Sequence, residues 1–181
     1  MKKILVTGGS GFIGSNLVKF LLKKKYFVIN VDCLKYSANP YNTKSLNENK
    51  NYVFFKLDIN NKNKILKILK KKNIDLICLA GFMKILSKNF IKKFNGKIIN
   101  IHPSLLPKYK GLNTHERAIE NGEKFSGCTV HEVNSKVDSG KIILQEKVKI
   151  SSTETPKSLA KKILKGEHKV YPYAIKKIFS P

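Results

Sequence analysis

The amino-terminal part of the chain alternates short apolar runs with amphipathic segments, and that alternation narrows the fold more than any other feature. Lys3 to Val6 reads as a buried strand, and Thr7-Gly8-Gly9-Ser10-Gly11-Phe12-Ile13-Gly14 follows as a glycine-rich loop. Ile13, Leu17, Phe20 and Leu21 then recur at helical spacing. Phe27 to Val31 is a second strand ending at Asp32, Tyr52 to Ile59 a third, Lys62 to Lys72 a helix and Ile74 to Gly81 a fourth strand. Crossovers of this kind are right-handed, so the expected fold is α/β: a doubly wound, mostly parallel Rossmann-like sheet in a single domain, with the first four strands in the order 3-2-1-4.

The remainder continues the pattern. A short helix follows Ser87, a strand ends at Asn100, a helix covers about Thr114 to Asn121, and strands lie near Gly127 to Val133 and Lys141 to Ile150. The last helix opens with Thr155 as N-cap and Pro156 at its first position. Ser37 to Asn51 is polar and reads as a loop.

Charge suggests one function class and then argues against it. The 181 residues carry a net charge of +24, which by itself points to nucleic acid. Yet Arg117 is the sole arginine among 36 basic residues, whereas nucleic-acid sites favour arginine for its bidentate geometry. The lysines are spread through every segment, as on solvated faces, so no nucleic-acid partner is expected. Such a surface still attracts anionic, phosphorylated small molecules. The longest apolar stretch, Leu76 to Met83, is too short to cross a bilayer, so no membrane association is expected either. Three cysteines (Cys33, Cys78, Cys128) without a framework, and a start that runs directly into a strand, read as a reduced, cytoplasmic protein, monomeric or homodimeric.

Strand, glycine loop, helix and then an acid eighteen positions past Gly14 is the context of a dinucleotide fingerprint. Gly8, Gly11 and Gly14 would let the backbone approach a phosphate at the helix N-terminus, and Asp32 could hold a ribose hydroxyl. A tight strand-to-helix turn without a ligand is the alternative. The segments Thr-Gly-Gly-Ser-Gly-Phe-Ile-Gly-Ser-Asn-Leu, Val-Asp-Cys-Leu-Lys-Tyr-Ser-Ala-Asn and Phe-Phe-Lys-Leu-Asp-Ile-Asn resemble the NAD-binding start of extended short-chain dehydrogenases, the nucleotide-sugar 4,6-dehydratases above all. That resemblance covers about residues 1 to 75 and implies NAD as a secondary cofactor expectation, with Asp58 and Ile59 beside the adenine. It ends there. The Tyr-x-x-x-Lys pair that such chemistry needs occurs only as Tyr52/Lys56, inside the third strand, and Tyr173/Lys177, in the terminal helix without matching surroundings.

A different chemistry is written further on, where Asn100-Ile101-His102-Pro103-Ser104-Leu105-Leu106-Pro107 ends a strand. Side chains alternate across a strand, so Asn100 and His102 should emerge together on one face. Val137-Asp138-Ser139-Gly140 offers a carboxylate to orient and charge the imidazole, although an Asp before Ser-Gly also suits a turn. An amide donor, an imidazole and a carboxylate make a device for acyl-group transfer. Cys128 and His131 have metal-like spacing but no further ligands cluster near them, so no metal is expected and both read as strand residues. His115 and His168 read as structural or surface groups.

From Asp75 onward, Asp-Leu-Ile-Cys-Leu-Ala-Gly-Phe-Met-Lys-Ile-Leu, the Asn100–Pro107 motif with its extension Lys-Tyr-Lys-Gly-Leu-Asn-Thr-His-Glu-Arg-Ala, then Gly-Cys-Thr-Val-His, Val-Asp-Ser-Gly-Lys-Ile-Ile and Glu-His-Lys-Val-Tyr-Pro closely resemble phosphoribosylglycinamide formyltransferase. The resemblance implies formyl transfer from 10-formyltetrahydrofolate, as co-substrate, to the amine of glycinamide ribonucleotide. It implies Asn100, protonated His102 and Asp138 as the catalytic set. Met83, Lys84, Ile85, Leu86, Asn100 and Val137 would hold the folate, and Gly14, Ser15, Asn16, Ile101, Pro103 and Glu167 the ribonucleotide.

The text thus reads as a chimeric sequence, a dehydratase-like half over 1–75 and a formyltransferase half over 76–181, together one formyltransferase-like domain. Both families begin with four parallel strands and a phosphate loop after the first, so the join leaves a plausible sheet. A NAD-binding dehydratase fragment and an inactive nucleotide-binding hybrid are the competing expectations.

Overall fold

The computed structural model describes residues 1–35, 38–59 and 61–179. Seven strands form one sheet in the order β3-β2-β1-β4-β5-β6-β7. They are β1 (Lys3–Thr7), β2 (Phe27–Asp32), β3 (Tyr52–Lys56), β4 (Leu76–Leu79), β5 (Lys97–His102), β6 (Phe125–Glu132) and β7 (Ile142–Lys149). The helices are α1 (Phe12–Lys23), α2 (Tyr41–Lys44), α3 (Lys62–Lys72), α4 (Lys88–Lys93), α5 (Thr114–Glu120) and α6 (Pro156–Phe179). The chain divides into two compact units, Met1–Lys84 with Lys93–Ile99, and Ile85–Lys92 with Asn100–Pro181.

In the first unit β1 lies between β2 and β4, and β2 pairs with β3, all in parallel. The expected order of the first four strands therefore holds. Its cause is visible in burial: Ile4, Leu5, Val6, Val28, Ile29, Leu76, Ile77, Cys78 and Leu79 are all buried, as strands covered on both faces must be. Leu17, Val18, Leu21 and Leu22 of α1 are buried too, each apolar side chain contributing roughly 1.5–3 kcal/mol. Asn30 is the polar exception in β2. Its Nδ2 donates to Tyr52 Oη at 2.9 Å and to Ser10 Oγ at 3.3 Å, tying the strand to the glycine loop.

The polar stretch after β2 is not all loop. It contains α2, whose start is fixed by Asn39 Oδ1 accepting from the Tyr41 N–H at 3.0 Å. Four residues are too few to show a helical period. Ser37, where that stretch begins, and Tyr36 and Asn60, which carry part of the dehydratase-like wording, lie outside the described residues.

In the second unit β6 and β7 pair antiparallel, with a register irregularity between Val130 and His131. Such an irregularity bends a strand and re-aims the side chain next to it. Leu159, Ile163, Val170, Tyr171, Ala174 and Ile175 of α6 are buried. The helix starts as its sequence directs, with Thr155 Oγ1 accepting from the Ser158 N–H at 3.2 Å. Among the described residues no helix is long and apolar enough to cross a membrane.

Candidate active site

Asn100 and His102 stand at the carboxyl end of β5, separated by the buried Ile101. His102 is buried and has an acceptor on each ring nitrogen: the Tyr109 carbonyl lies 2.9 Å from Nε2, and Asp138 Oδ2 lies 3.3 Å from Nδ1. Asp138 belongs to the turn before β7 and has φ +43°, a left-handed conformation costly for a side-chain-bearing residue. Two contacts hold it there. The Gly111 N–H donates to its Oδ2 at 3.0 Å, and Gly140 lets the turn pass the Glu132 carbonyl, which any β-carbon would strike at 1.6 Å. The turn-forming reading of Asp138 and the imidazole-partner reading are thus both satisfied by one residue.

The other carboxylate oxygen, Asp138 Oδ1, lies 3.5 Å from His131 Nε2. His131 Nδ1 is 2.8 Å from the Glu132 carbonyl, and its Nε2 is also 3.4 Å from Asn100 Nδ2. Asn100, His131, Asp138 and His102 therefore form one continuous chain of polar contacts. The sequence reading took His131 as a strand residue. It is one, in β6, but the strand irregularity beside it accompanies a side chain placed in this cluster. Its place near a strand end and the acid seven positions on were the available signals.

Opposing influences act on the His102 imidazole. Burial is the largest influence and pushes its pKa below the ordinary 6.5; the Tyr109 carbonyl and Asp138 oppose this, while His131 and Arg117 reinforce it. Asp138, in contrast, is held below the ordinary carboxylate value despite burial, through His131, the Gly111 amide and His102. Arg117 acts on the same loop by donating from Nη1 to the carbonyls of Lys110 at 2.8 Å and Leu112 at 3.2 Å. His115 is also depressed by burial, and its Nδ1 has no partner among the described residues.

The remaining expected residues fall into separate places. Met83 and Ile85 are 76% and 72% exposed on an irregular segment with Lys84 and Leu86, and Val137 is exposed beside Asp138. Pro103 is half-buried next to His102. Glu167, on α6, is buried, and burial pushes its carboxyl up to about 7. Gly14, Ser15 and Asn16 are in the first unit, inside α1. Gly14 packs so closely on the Gly8 carbonyl that a β-carbon would sit 2.2 Å from it, and the Ser15 amide donates to the Gly11 carbonyl. Asn16 is exposed.

The alternative dinucleotide residues form a strand–loop–helix turn as expected, with Gly8 at φ +67° and Gly11 as the N-cap of α1. Asp32, however, accepts from the Ser10 N–H at 3.0 Å and the Leu34 N–H at 2.8 Å, one on each oxygen. It fixes the loop from within. Asp58 pairs with Lys35 at 3.2 Å, and Ile59 beside it is half-buried. Among the described residues no group of His, Cys, Asp and Glu could hold a metal.

The Formyl transferase profile matches residues 15–175. Phosphoribosylglycinamide formyltransferase of Haemophilus influenzae is 52% identical over 103 residues, 57% of this chain and 49% of that protein. The human trifunctional purine biosynthetic protein adenosine-3 is 50% identical over 113 residues, 62% of this chain and 11% of that protein. The chain thus spans about half or less of the curated relatives it matches. Among solved structures, phosphoribosylglycinamide formyltransferase from Anaplasma phagocytophilum has a TM-score of 0.82 at 35% identity, covering 96% of this chain and 83% of that one. The enzyme from Bacillus halodurans has a TM-score of 0.83 at 29% identity, covering 99% and 96%. With a profile match that includes most of the dehydratase-like stretch as well as the whole Asn100 cluster, the chain belongs to the formyl transferase family.

Proposed function

We propose that the protein transfers a formyl group from 10-formyltetrahydrofolate to the amine of glycinamide ribonucleotide, in the cytoplasm. The observation that carries this reading is the unbroken contact chain from Asn100 through His131 and Asp138 to His102. In this reading the first 75 residues supply the transferase's own opening strands, under wording that resembles a dehydratase. The parallel order β3-β2-β1-β4 supports that use.

The amine attacks the formyl carbon, a carbon–nitrogen bond forms, and the carbonyl electron pair moves onto oxygen. Asn100 donates to that oxygen from Nδ2. His102 Nε2, which faces the Tyr109 carbonyl, exchanges that partner for the substrate. A neighbouring anion favours the protonated imidazole, so the oxyanion reverses the effect of burial as it forms. Collapse breaks the bond from the formyl carbon to the folate nitrogen. The proton lost by the attacking amine ends on that leaving nitrogen, and His102, steadied by Asp138, is the group placed to carry it. Ile85 and Val137 offer exposed apolar surface to the folate, and Glu167 an acceptor to the ribose hydroxyls.

The test is direct: purified protein is incubated with both substrates, and formylglycinamide ribonucleotide and tetrahydrofolate are followed by mass spectrometry. Equal amounts of the two products are expected. Absence of both, with NAD binding in their place, would overturn the reading.

A further inference from the structure

His131 is a buried imidazole whose contacts are poorly explained by packing alone. Its Nδ1 lies 2.8 Å from the Glu132 carbonyl, a pure acceptor, so that nitrogen carries a proton in either charge state. Nε2 is the variable end, and it faces two partners with opposite requirements. Asn100 Nδ2, at 3.4 Å, is a donor and suits an unprotonated Nε2. Asp138 Oδ1, at 3.5 Å, is an acceptor and suits a protonated one. The same ring thus touches the amide that would donate to the reacting oxygen and the carboxylate that steadies the second imidazole.

We infer that His131 is a positioning residue for the transfer, holding Asp138 on the oxygen that His102 does not use and orienting the Asn100 carboxamide. The inference rests on the formyl-transfer reading and adds a residue to it. Two facts support the coupling. Asp138 has its other contacts, His102 Nδ1 and the Gly111 amide, on Oδ2, which leaves Oδ1 to His131. The Asn100 carboxamide oxygen is buried without a partner among the described residues, so the His131 contact is what fixes the amide's rotation. When His131 is neutral its Nε2 accepts from the amide. When it is charged it donates to Asp138, and the amide donors are released to the substrate.

The test uses two variants of the full chain. H131L keeps much of the bulk and removes the polar ring; H131Q restores an amide donor close to the Nε2 position. H131L is expected to lose about ten-fold or more in kcat, as small displacements of reacting groups do, with KM for both substrates within about two-fold of wild type. H131Q is expected to recover most of that loss. The second readout is the titration of the His102 ring by ¹⁵N NMR. The charged or titratable groups acting on His102 are Asp138, His131 and Arg117, and His115 is coupled to it. His131 holds the His102 pKa down, so the His102 titration should move upward in H131Q. Wild-type kcat in H131L, or H131Q no better than H131L, would overturn the assignment. If H131L does not fold, an unaltered His102 titration in H131Q overturns it alone. Failure of the wild type to transfer formyl would instead count against the reaction, and the NMR titration would still decide whether His131 governs this cluster.

Discussion

Glu167 gives the molecule a built-in pH dependence of stability. Its side chain is on α6, the residue is 5% exposed, and burial alone pushes its carboxyl from the ordinary 4.5 up to about 7. An acid whose folded pKa is raised stabilises the fold fully only below its unfolded value, and that advantage is lost as pH rises through the folded value. The window here runs from 4.5 to about 7. At 1.36 kcal/mol per pH unit the interval corresponds to about 3 kcal/mol, an appreciable part of the roughly 5–15 kcal/mol that holds a domain together. Glu167→Gln keeps the shape and removes the ionisation. Urea unfolding of both proteins at pH 5 and pH 8 should show the wild type losing about 2–3 kcal/mol more than the variant across that range. At pH 8 the variant should also melt higher by several degrees. Parallel pH dependences in the two proteins would refute the argument, because they would mean that Glu167 ionises in the fold as freely as in the unfolded chain.

Four further outcomes are expected. Asn100→Ala and His102→Ala should each lower kcat by about 10²–10³, the usual worth of a well-aimed oxyanion donor, and single-turnover rates would show it. Asp138→Asn removes an influence that raises the His102 pKa, so the His102 limb of the kcat/KM profile should move to lower pH. Gly14→Ala would force a β-carbon to within 2.2 Å of the Gly8 carbonyl and should lower stability by about 1–3 kcal/mol, read from the urea midpoint. Millimolar NAD should leave the melting temperature unchanged, because Asp32 is already engaged by two backbone amides; a rise of several degrees would restore the dinucleotide reading.

The sheet was legible because its information is local. Buried runs such as Ile4–Val6 and Leu76–Leu79 announce strands covered on both faces, and the crossover rule orders them. The Asn100/His102 pair was legible for the same reason, since strand alternation acts over two residues. What could not be read was whatever depends on contacts between distant segments. The α2 turn has too little length to show a period, and the Asn39 side-chain contact with the Tyr41 amide at its start leaves no pattern. The loop-fixing role of Asp32 depends on where the Ser10 amide lies, and the same acid in the same register serves equally well as a ligand for ribose. His131 was missed because a strand irregularity is invisible in a pattern that otherwise alternates correctly.

The protonation of His102 shows most sharply why a site can be located before its chemistry is understood. A carboxylate beside an imidazole suggests a charged pair, and the expected residues do meet at 3.3 Å. Burial nevertheless outweighs Asp138, and the Asp138 carboxylate is divided between His102, His131 and the Gly111 amide. Whether an ion pair forms depends on how many donors share the acid and how much water reaches the ring, both tertiary quantities. For the proposed formyl transfer this division has a chemical use. An imidazole that is already fully charged and fully paired stabilises the ground state as well as the transition state, and uniform stabilisation does not speed the chemical step. An imidazole whose pKa burial lowers and Asp138 raises gains further stabilisation as a cation when negative charge appears on the reacting oxygen.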